Sequence, residues 1–288
     1  MNPEVLAIAL LCAFSCSVLG VFLVLKNLAM ISDALSHTIL LGIVLAFFVV
    51  HSLSSPWLLI AAALVGLLSA YMIECLKHTR LIQEDSAIAL TYSFFFSIAI
   101  ILISVYASKV HIDTDMVLLG SLALAPLSRT DFLGFDLASG IVVMGFFSII
   151  NVLFVWIFYK ELVISCFDRM LALSLRMKPD LVHYIFVTLV SFQSVASFEA
   201  VGSILVISFM VGPPLCAYML VKTLKAMLVL SSVFAVFDAF LGVWLATVFD
   251  LSIAGLISMV IGINLIIVLL AKRLSKPTLV QKEAATSV

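Results

Sequence analysis

The chain has 288 residues, of which 65% are hydrophobic and only 11% charged, and its mean hydropathy is +1.33. Soluble domains are roughly 45–50% apolar and about 25% charged, so this composition excludes a soluble protein. The apolar runs are long and continuous, whereas a membrane β-barrel shows alternating segments of about ten residues. The composition therefore predicts an all-α, polytopic helical membrane protein, and the net charge of −1 gives no sign of a nucleic-acid partner.

Apolar runs of about 20 residues, separated by polar breaks, predict eight or nine transmembrane helices. Two of the candidate spans, 36–50 and 181–196, are shorter than the others. We treat residues 1–288 as a single transmembrane domain. The candidate spans are 5–25, 36–50, 57–76, 87–107, 137–159, 181–196, 200–221, 226–248 and 253–271.

The distribution of basic residues predicts the orientation, because cytoplasmic loops carry an excess of Lys and Arg. With nine spans and the N-terminus outside, 13 of the 15 basic residues fall on the cytoplasmic side, and only Lys109 and Arg129 lie outside. The reverse topology would invert this bias. We therefore expect the short basic tail, 272–288, to be cytoplasmic.

Asp33 and His37 are two ionisable residues, four positions apart, in the otherwise apolar stretch KNLAMISDALSHTILLG. Residues four apart face the same side of a helix, and carboxylate and imidazole both bind Zn²⁺, Mn²⁺ and Fe²⁺. Ionisable groups at membrane depth are usually functional. The alternative is that Ser32 or Asp33 caps a helix beginning near residue 33. Two ligands are fewer than the four of a tight structural zinc site.

The predicted outer connection, 108–136, is long enough to hold a short helix that rests on or re-enters the membrane. It contains His111, Asp113 and Asp115, whose alternate positions would point together only in an extended stretch. They are secondary candidates for metal contact. A solvated run of loop charges is the simpler interpretation.

The predicted cytoplasmic connection, 160–180, has spaced apolar residues, charges at both ends, and Pro179 to stop a helix before the next span. An amphipathic helix of this kind can dock a motor protein, although it can also lie on the lipid surface. Glu161, Phe167 and Asp168 are the candidates for motor contact, since an aromatic anchor with flanking charges suits a helix that seats in a groove.

Two later features lie within predicted spans. Asp238 is deep inside its span, where it could line a pathway or make a structural polar contact between helices. Gly202, Gly212, Pro213 and Pro214 would allow close packing and a local break in the seventh span, which gating could use.

Motifs for common chemistry are missing from the sequence. It contains no GxxxxGK[ST] phosphate loop, no HExxH and no GxSxG. We therefore expect neither ATP hydrolysis nor other catalysis by this chain, and transport is the favoured class of function.

Several blocks together resemble the metal-specific ABC importer permeases, the zinc, manganese and iron "ABC-3" family. The blocks at 80–90, 111–122, 160–177 and 200–220 match in order and spacing, with Ser32 and Arg176 at or near positions where the family usually has glycine. Within the signature region, 20–47, the matching residues are Asp33, Ala34, Leu35, Ser36, His37 and Gly42.

The resemblance implies a type II importer in a bacterial cytoplasmic membrane. Two permease chains, identical or paralogous, would bind two ATPase subunits and receive metal from an extracytoplasmic binding protein. Asp33 and His37 of each permease would then line a shared passage for Mn²⁺, Zn²⁺ or Fe²⁺, which is transported cargo rather than a permanently bound cofactor. The segment 160–178 would couple the permease to the ATPase.

Two other functions are compatible with the residues themselves. An ion-coupled secondary transporter would need no ATPase partner and could use the intramembrane acids for proton coupling. A non-transporting scaffold or sensor would use 160–178 for partner binding without any metal flux.

Overall fold

Within the described residues of the computed structural model, nine helices are long and apolar enough to cross a membrane. The structure describes residues 2–50, 56–79, 81–106, 122, 125, 129–132 and 135–275. The prediction of an all-α membrane protein is confirmed. Of the predicted eight or nine spans, the described residues contain nine candidates. The elements are α1 (Pro3–Leu25), α2 (Ala29–Val50), α3 (Pro56–His78), α4 (Glu84–Tyr106), β1 (Arg129–Phe132), β2 (Phe135–Ala138), α5 (Ser139–Ile157), α6 (Tyr159–Phe167), α7 (Arg169–Ser174), α8 (Pro179–Val201), α9 (Ser203–Leu220), α10 (Leu224–Phe249) and α11 (Ile253–Ser275).

Two spans are longer than the sequence predicted, because hydropathy marked only their most apolar parts. The span predicted at 36–50 is α2, which begins at Ala29, and the span predicted at 181–196 is α8, which has 23 residues. Polar side chains do not interrupt the backbone hydrogen bonds of a helix. Thr38, for example, is fully buried and donates its hydroxyl to the Leu35 carbonyl at 3.2 Å.

The turn between α1 and α2 sends the chain back across the bundle within three residues. Asn27 adopts the left-handed conformation, with φ of 58°. The N–H of Leu28 donates to the Leu23 carbonyl at 2.8 Å, and that of Asn27 donates to the Val24 carbonyl at 3.2 Å. This pair of hydrogen bonds is a Schellman motif, in which asparagine commonly replaces glycine. It determines where α2 begins.

A small antiparallel hairpin, β1–β2, precedes α5, and sequence analysis did not predict it. Arg129 pairs with Ala138, and Phe132 pairs with Phe135. The Arg129 guanidinium lies 3.7 Å from the Glu4 carboxylate, so the hairpin is held at the N-terminal end of α1. The short helix predicted in 108–136 falls mostly outside the described residues.

The core of the bundle forms around α1, which packs on α5, α9 and α10, while α2 packs on α3, α4 and α8. Ile8, Leu19 and Phe22 of α1 are completely buried. Large apolar side chains such as Trp156 (77% exposed) cover the outer surface. That surface suits contact with lipid.

A buried polar network connects α1, α5 and α8. The Ser15 hydroxyl donates to Gln193 Oε1 at 2.7 Å, and Asn151 Nδ2 donates to both Ser15 Oγ and Gln193 Oε1 at 2.8 Å. Gln193 Nε2 donates in turn to Ser197 Oγ at 2.7 Å. All four side chains are fully buried. Hydrogen bonds of this kind hold membrane helices in register.

The chain is interrupted between α8 and α9 at Gly202, which has φ of 84° and ψ of 158°. This backbone conformation is readily available only to glycine. The helix α9 then continues across Pro213 and Pro214, although neither proline has an N–H to donate. Thus the described geometry places the break of this region at Gly202, while the proposed gating role of these residues stays a prediction.

Gly212 allows α9 and α11 to pack closely, because a Cβ at this position would collide with Ile261 Cγ2. We expect Gly212→Ala to lower stability by about 1–3 kcal/mol through overpacking, measured as a lower thermal unfolding midpoint in detergent. Gly262→Ala is the control, since no described atom lies within 4 Å of the added carbon. Equal midpoints for the two variants would contradict the close packing.

Candidate metal site on the second helix

Asp33 and His37 lie on the same side of α2, with Asp33 Oδ1 and His37 Nε2 separated by 3.9 Å. Their side chains are 43% and 34% exposed in the single chain. Two ligand atoms bound to one tetrahedral ion at about 2.1 Å lie about 3.4 Å apart, so a small side-chain rotation would allow both to bind one cation. The pair therefore has suitable geometry for a divalent ion.

The capping interpretation of this region is wrong. The helix begins at Ala29, so Ser32 and Asp33 are already inside it. The Ser32 hydroxyl is fully buried and donates to the Met210 sulfur on α9 at 3.3 Å. Ser32 thus connects α2 to α9, while Asp33 lies on the neighbouring face of the helix.

Aromatic residues of α4 pack against His37. Its imidazole centroid lies 5.4 Å from the ring of Tyr92, and 5.5 Å from the ring of Phe96 in an edge-to-face arrangement. These contacts restrict the rotation of the imidazole and so help to orient its nitrogen atoms. Sequence analysis missed both aromatic residues, although their spacing of four places them on one helix face.

Among the described residues, no group of three or more His, Cys, Asp and Glu side chains could hold a metal ion. The described part of one chain therefore provides the Asp33–His37 pair and no complete ligand set around it. His111, Asp113 and Asp115, the secondary candidates, lie outside the described residues.

Asp238 is not brought to the Asp33–His37 pair. It lies on α10, which packs on α1, α9 and α11, and its side chain is 1% exposed. Asn264 Nδ2 of α11 donates a hydrogen bond to Asp238 Oδ1. Of the two interpretations left open by the sequence, this geometry favours a structural contact between helices.

The predicted cytoplasmic segment consists of two short helices, α6 and α7, held to the bundle by a few apolar side chains. Leu162 and Ala172 are buried, whereas Phe167 is 72% exposed and Met170 is 75% exposed. Glu161 is half-buried in the first turn of α6. The segment therefore presents an apolar surface that has no partner within the described residues of this chain.

Both ends of α7 are formed by specific residues. Asp168 Oδ1 accepts a hydrogen bond from the Leu171 N–H at 3.0 Å, which makes Asp168 the N-cap. At the other end, Arg176 has φ of 57°, and the Met177 N–H donates to the Ala172 carbonyl at 3.0 Å. Sequence analysis assigned Asp168 to partner contact and missed this capping role, which its position just before a helix could have indicated.

The fold defines a helical membrane protein, and comparison with known proteins gives its family. The model of the ABC 3 transport family matches residues 1–272. The manganese transport system membrane protein MntD of Bacillus subtilis is 36% identical over 260 residues, covering 90% of this chain and 88% of that protein. The zinc transport system membrane protein TroD of Treponema pallidum is 40% identical over 263 residues, covering 91% and 72%.

A solved structure supports the same assignment. The structure of PsaBC from Streptococcus pneumoniae in complex with Fab is similar with a TM-score of 0.76 and 28% identity, covering 92% of this chain and 89% of that chain. The chain belongs to the ABC 3 transport family. Members of this family are membrane permease subunits of ABC importers, in which the ATPase is a separate subunit.

The pairing of Asp238 with Asn264 predicts different effects for two substitutions. Asp238→Asn keeps an acceptor for Asn264, whereas Asp238→Leu leaves the half-buried amide of Asn264 unpaired, at a cost of about 1 kcal/mol. We expect a lower thermal unfolding midpoint for Asp238→Leu than for Asp238→Asn. Equal midpoints in the two variants would argue against a structural role for the pair.

Proposed function

We propose that this chain is the permease subunit of an ATP-driven importer of divalent transition-metal cations in a bacterial cytoplasmic membrane. The observation that carries the proposal is the Asp33–His37 pair inside a membrane helix of an ABC 3 family chain. The relatives support this cargo, because MntD is named for manganese transport and TroD for zinc transport. We include Fe²⁺ because the same ligand types bind it.

The incomplete ligand set suits a site of transit. Two permease chains, identical or paralogous, would bring two Asp33–His37 pairs together around a shared path. Two carboxylates and two neutral imidazoles can replace part of a cation's hydration shell and still release the ion, which conduction requires. The imidazoles held by Tyr92 and Phe96 would reorganise little when the ion arrives.

ATP hydrolysis takes place in a different subunit, and α6–α7 is the proposed contact with it. In the orientation that the basic residues favour, this segment is cytoplasmic. Exposed Phe167 and Met170 would enter a groove of the ATPase, while buried Leu162 and Ala172 would transmit its movement to α8. On the opposite side of the membrane, an extracytoplasmic binding protein would deliver the cation.

The metal site is tested by uptake of Mn²⁺ and Zn²⁺ into cells. We expect Asp33→Asn and His37→Ala each to reduce uptake by more than about tenfold, since the first removes the carboxylate charge and the second removes the imidazole ligand. Asp238→Asn, a matched change of an intramembrane carboxylate, should leave uptake near the wild-type level. Assembly with the ATPase is measured separately, and normal uptake in both site variants would exclude the pair from the pathway.

The requirement for an ATPase separates this proposal from an ion-coupled secondary transporter. Metal uptake into proteoliposomes should need both the ATPase subunits and ATP. Uptake by the permease alone, driven by an ion gradient, would contradict the proposal.

The coupling role of α6–α7 gives a separate prediction. We expect Phe167→Ala to weaken binding of the ATPase subunit, because it removes the exposed aromatic anchor. Asp168→Asn retains the N-cap and should bind the ATPase like the wild type, whereas Asp168→Ala loses the cap and should bind less well. Equal weakening by both Asp168 variants would show that the charge itself makes the contact.

A further inference from the structure

A cavity of about 450 Å³ lies between α3, α8 and the beginning of α2, apart from the Asp33–His37 pair. Its size is within the usual range of roughly 300–1,000 Å³ for small-molecule sites. Leu64, Leu67 and Leu68 line one end, and Glu74, Lys77 and His183 line the other.

The cavity has the length and polarity of a lipid molecule. Lys77 lies thirteen positions after Leu64 on α3, which corresponds to about 20 Å along a helix. The apolar end lies toward the middle of the membrane helix. The polar end lies on the side of the bundle that carries α6 and α7. Tyr71 and Tyr184 also line the cavity wall. Tyrosine is common where lipid headgroups meet the hydrocarbon region.

Two lysines, Lys77 in the cavity wall and Lys26 beside it, lie near the single carboxylate of Glu74, and this charge balance favours an anion. The carboxylate of Glu74 lies 3.5 Å from His183 Nε2, while Lys77 lines the same end. Lys26 does not line the cavity, but its ammonium is close enough to interact electrostatically with Glu74. Burial lowers the pKa of Lys26, and the neighbouring Cys166 and Glu74 act in the opposite direction.

A cation site at Glu74 and His183 is less suitable. Two ammonium groups close to this carboxylate–imidazole pair would repel a divalent ion. A phosphate group, in contrast, would gain from Lys77, and phospholipids are held in basic pockets between membrane helices elsewhere.

We propose that this cavity binds an anionic phospholipid such as phosphatidylglycerol. The phosphate lies at Lys77 and His183, and an acyl chain extends along Leu64, Leu67 and Leu68. Because α8 follows α7 directly, the bound lipid contacts the helix that leads from the exposed segment into the bundle.

The test uses the permease together with its ATPase subunits, reconstituted in phosphatidylcholine with or without phosphatidylglycerol. Native mass spectrometry then measures the lipid retained. We expect retention of phosphatidylglycerol over phosphatidylcholine and roughly fivefold weaker retention in Lys77→Gln, as removal of one cation near the membrane surface predicts. Lys225→Gln is the matched control, since Lys225 is exposed at the beginning of α10 and does not line the cavity.

A second variant tests the apolar end. Leu68→Trp would fill the cavity from its half-exposed wall and should lower retention of phosphatidylglycerol without loss of assembly. Equal retention of the two lipids, or wild-type retention in both Lys77→Gln and Leu68→Trp, would overturn the proposal. Zn²⁺ binding that is lost in Glu74→Gln would overturn it in favour of a cation site.

Discussion

The structure depends on one constraint, which is that a polar group at membrane depth must find its partner inside the protein. Ser15, Asn151 and Gln193 hydrogen-bond to one another between α1, α5 and α8. Asp238 and Asn264 do so between α10 and α11. Such contacts determine which helices lie side by side, because apolar surface alone gives membrane helices little preference for one neighbour over another.

The Asp33–His37 pair differs from these contacts in its exposure. Its side chains are partly open in the single chain, and their ligand atoms are 3.9 Å apart. The helix that carries the pair is nevertheless held firmly, by the turn at Asn27, by the contact of Ser32 with Met210, and by the packing of α4 against His37. A rigid helix with a partly exposed ligand pair is suited to a site that exchanges its ion.

Much of the fold could be predicted from the sequence, because long apolar runs have few alternatives in a membrane. The expectation of eight or nine spans followed from hydropathy, and the break at 160–180 before α8 followed from Pro179. The beginning of α2 could not be predicted in this way. The polar residues from Ser32 to His37 lower the local hydropathy, although the helix runs through them from Ala29. The hairpin at Arg129–Ala138 was missed because its strands have only four residues each.

The amino-acid sequence by itself determined the class of protein, its family resemblance and the choice of Asp33 and His37. Composition, sequence motifs and the spacing of residues along one helix do not depend on which helices pack together. Tertiary structure decided which residues meet across the bundle. It paired Asp238 with Asn264 and placed Tyr92 and Phe96 beside His37. It also brought Lys77 and His183 to the same cavity. These contacts join residues far apart in the chain, and their positions follow from helix packing rather than from any local pattern.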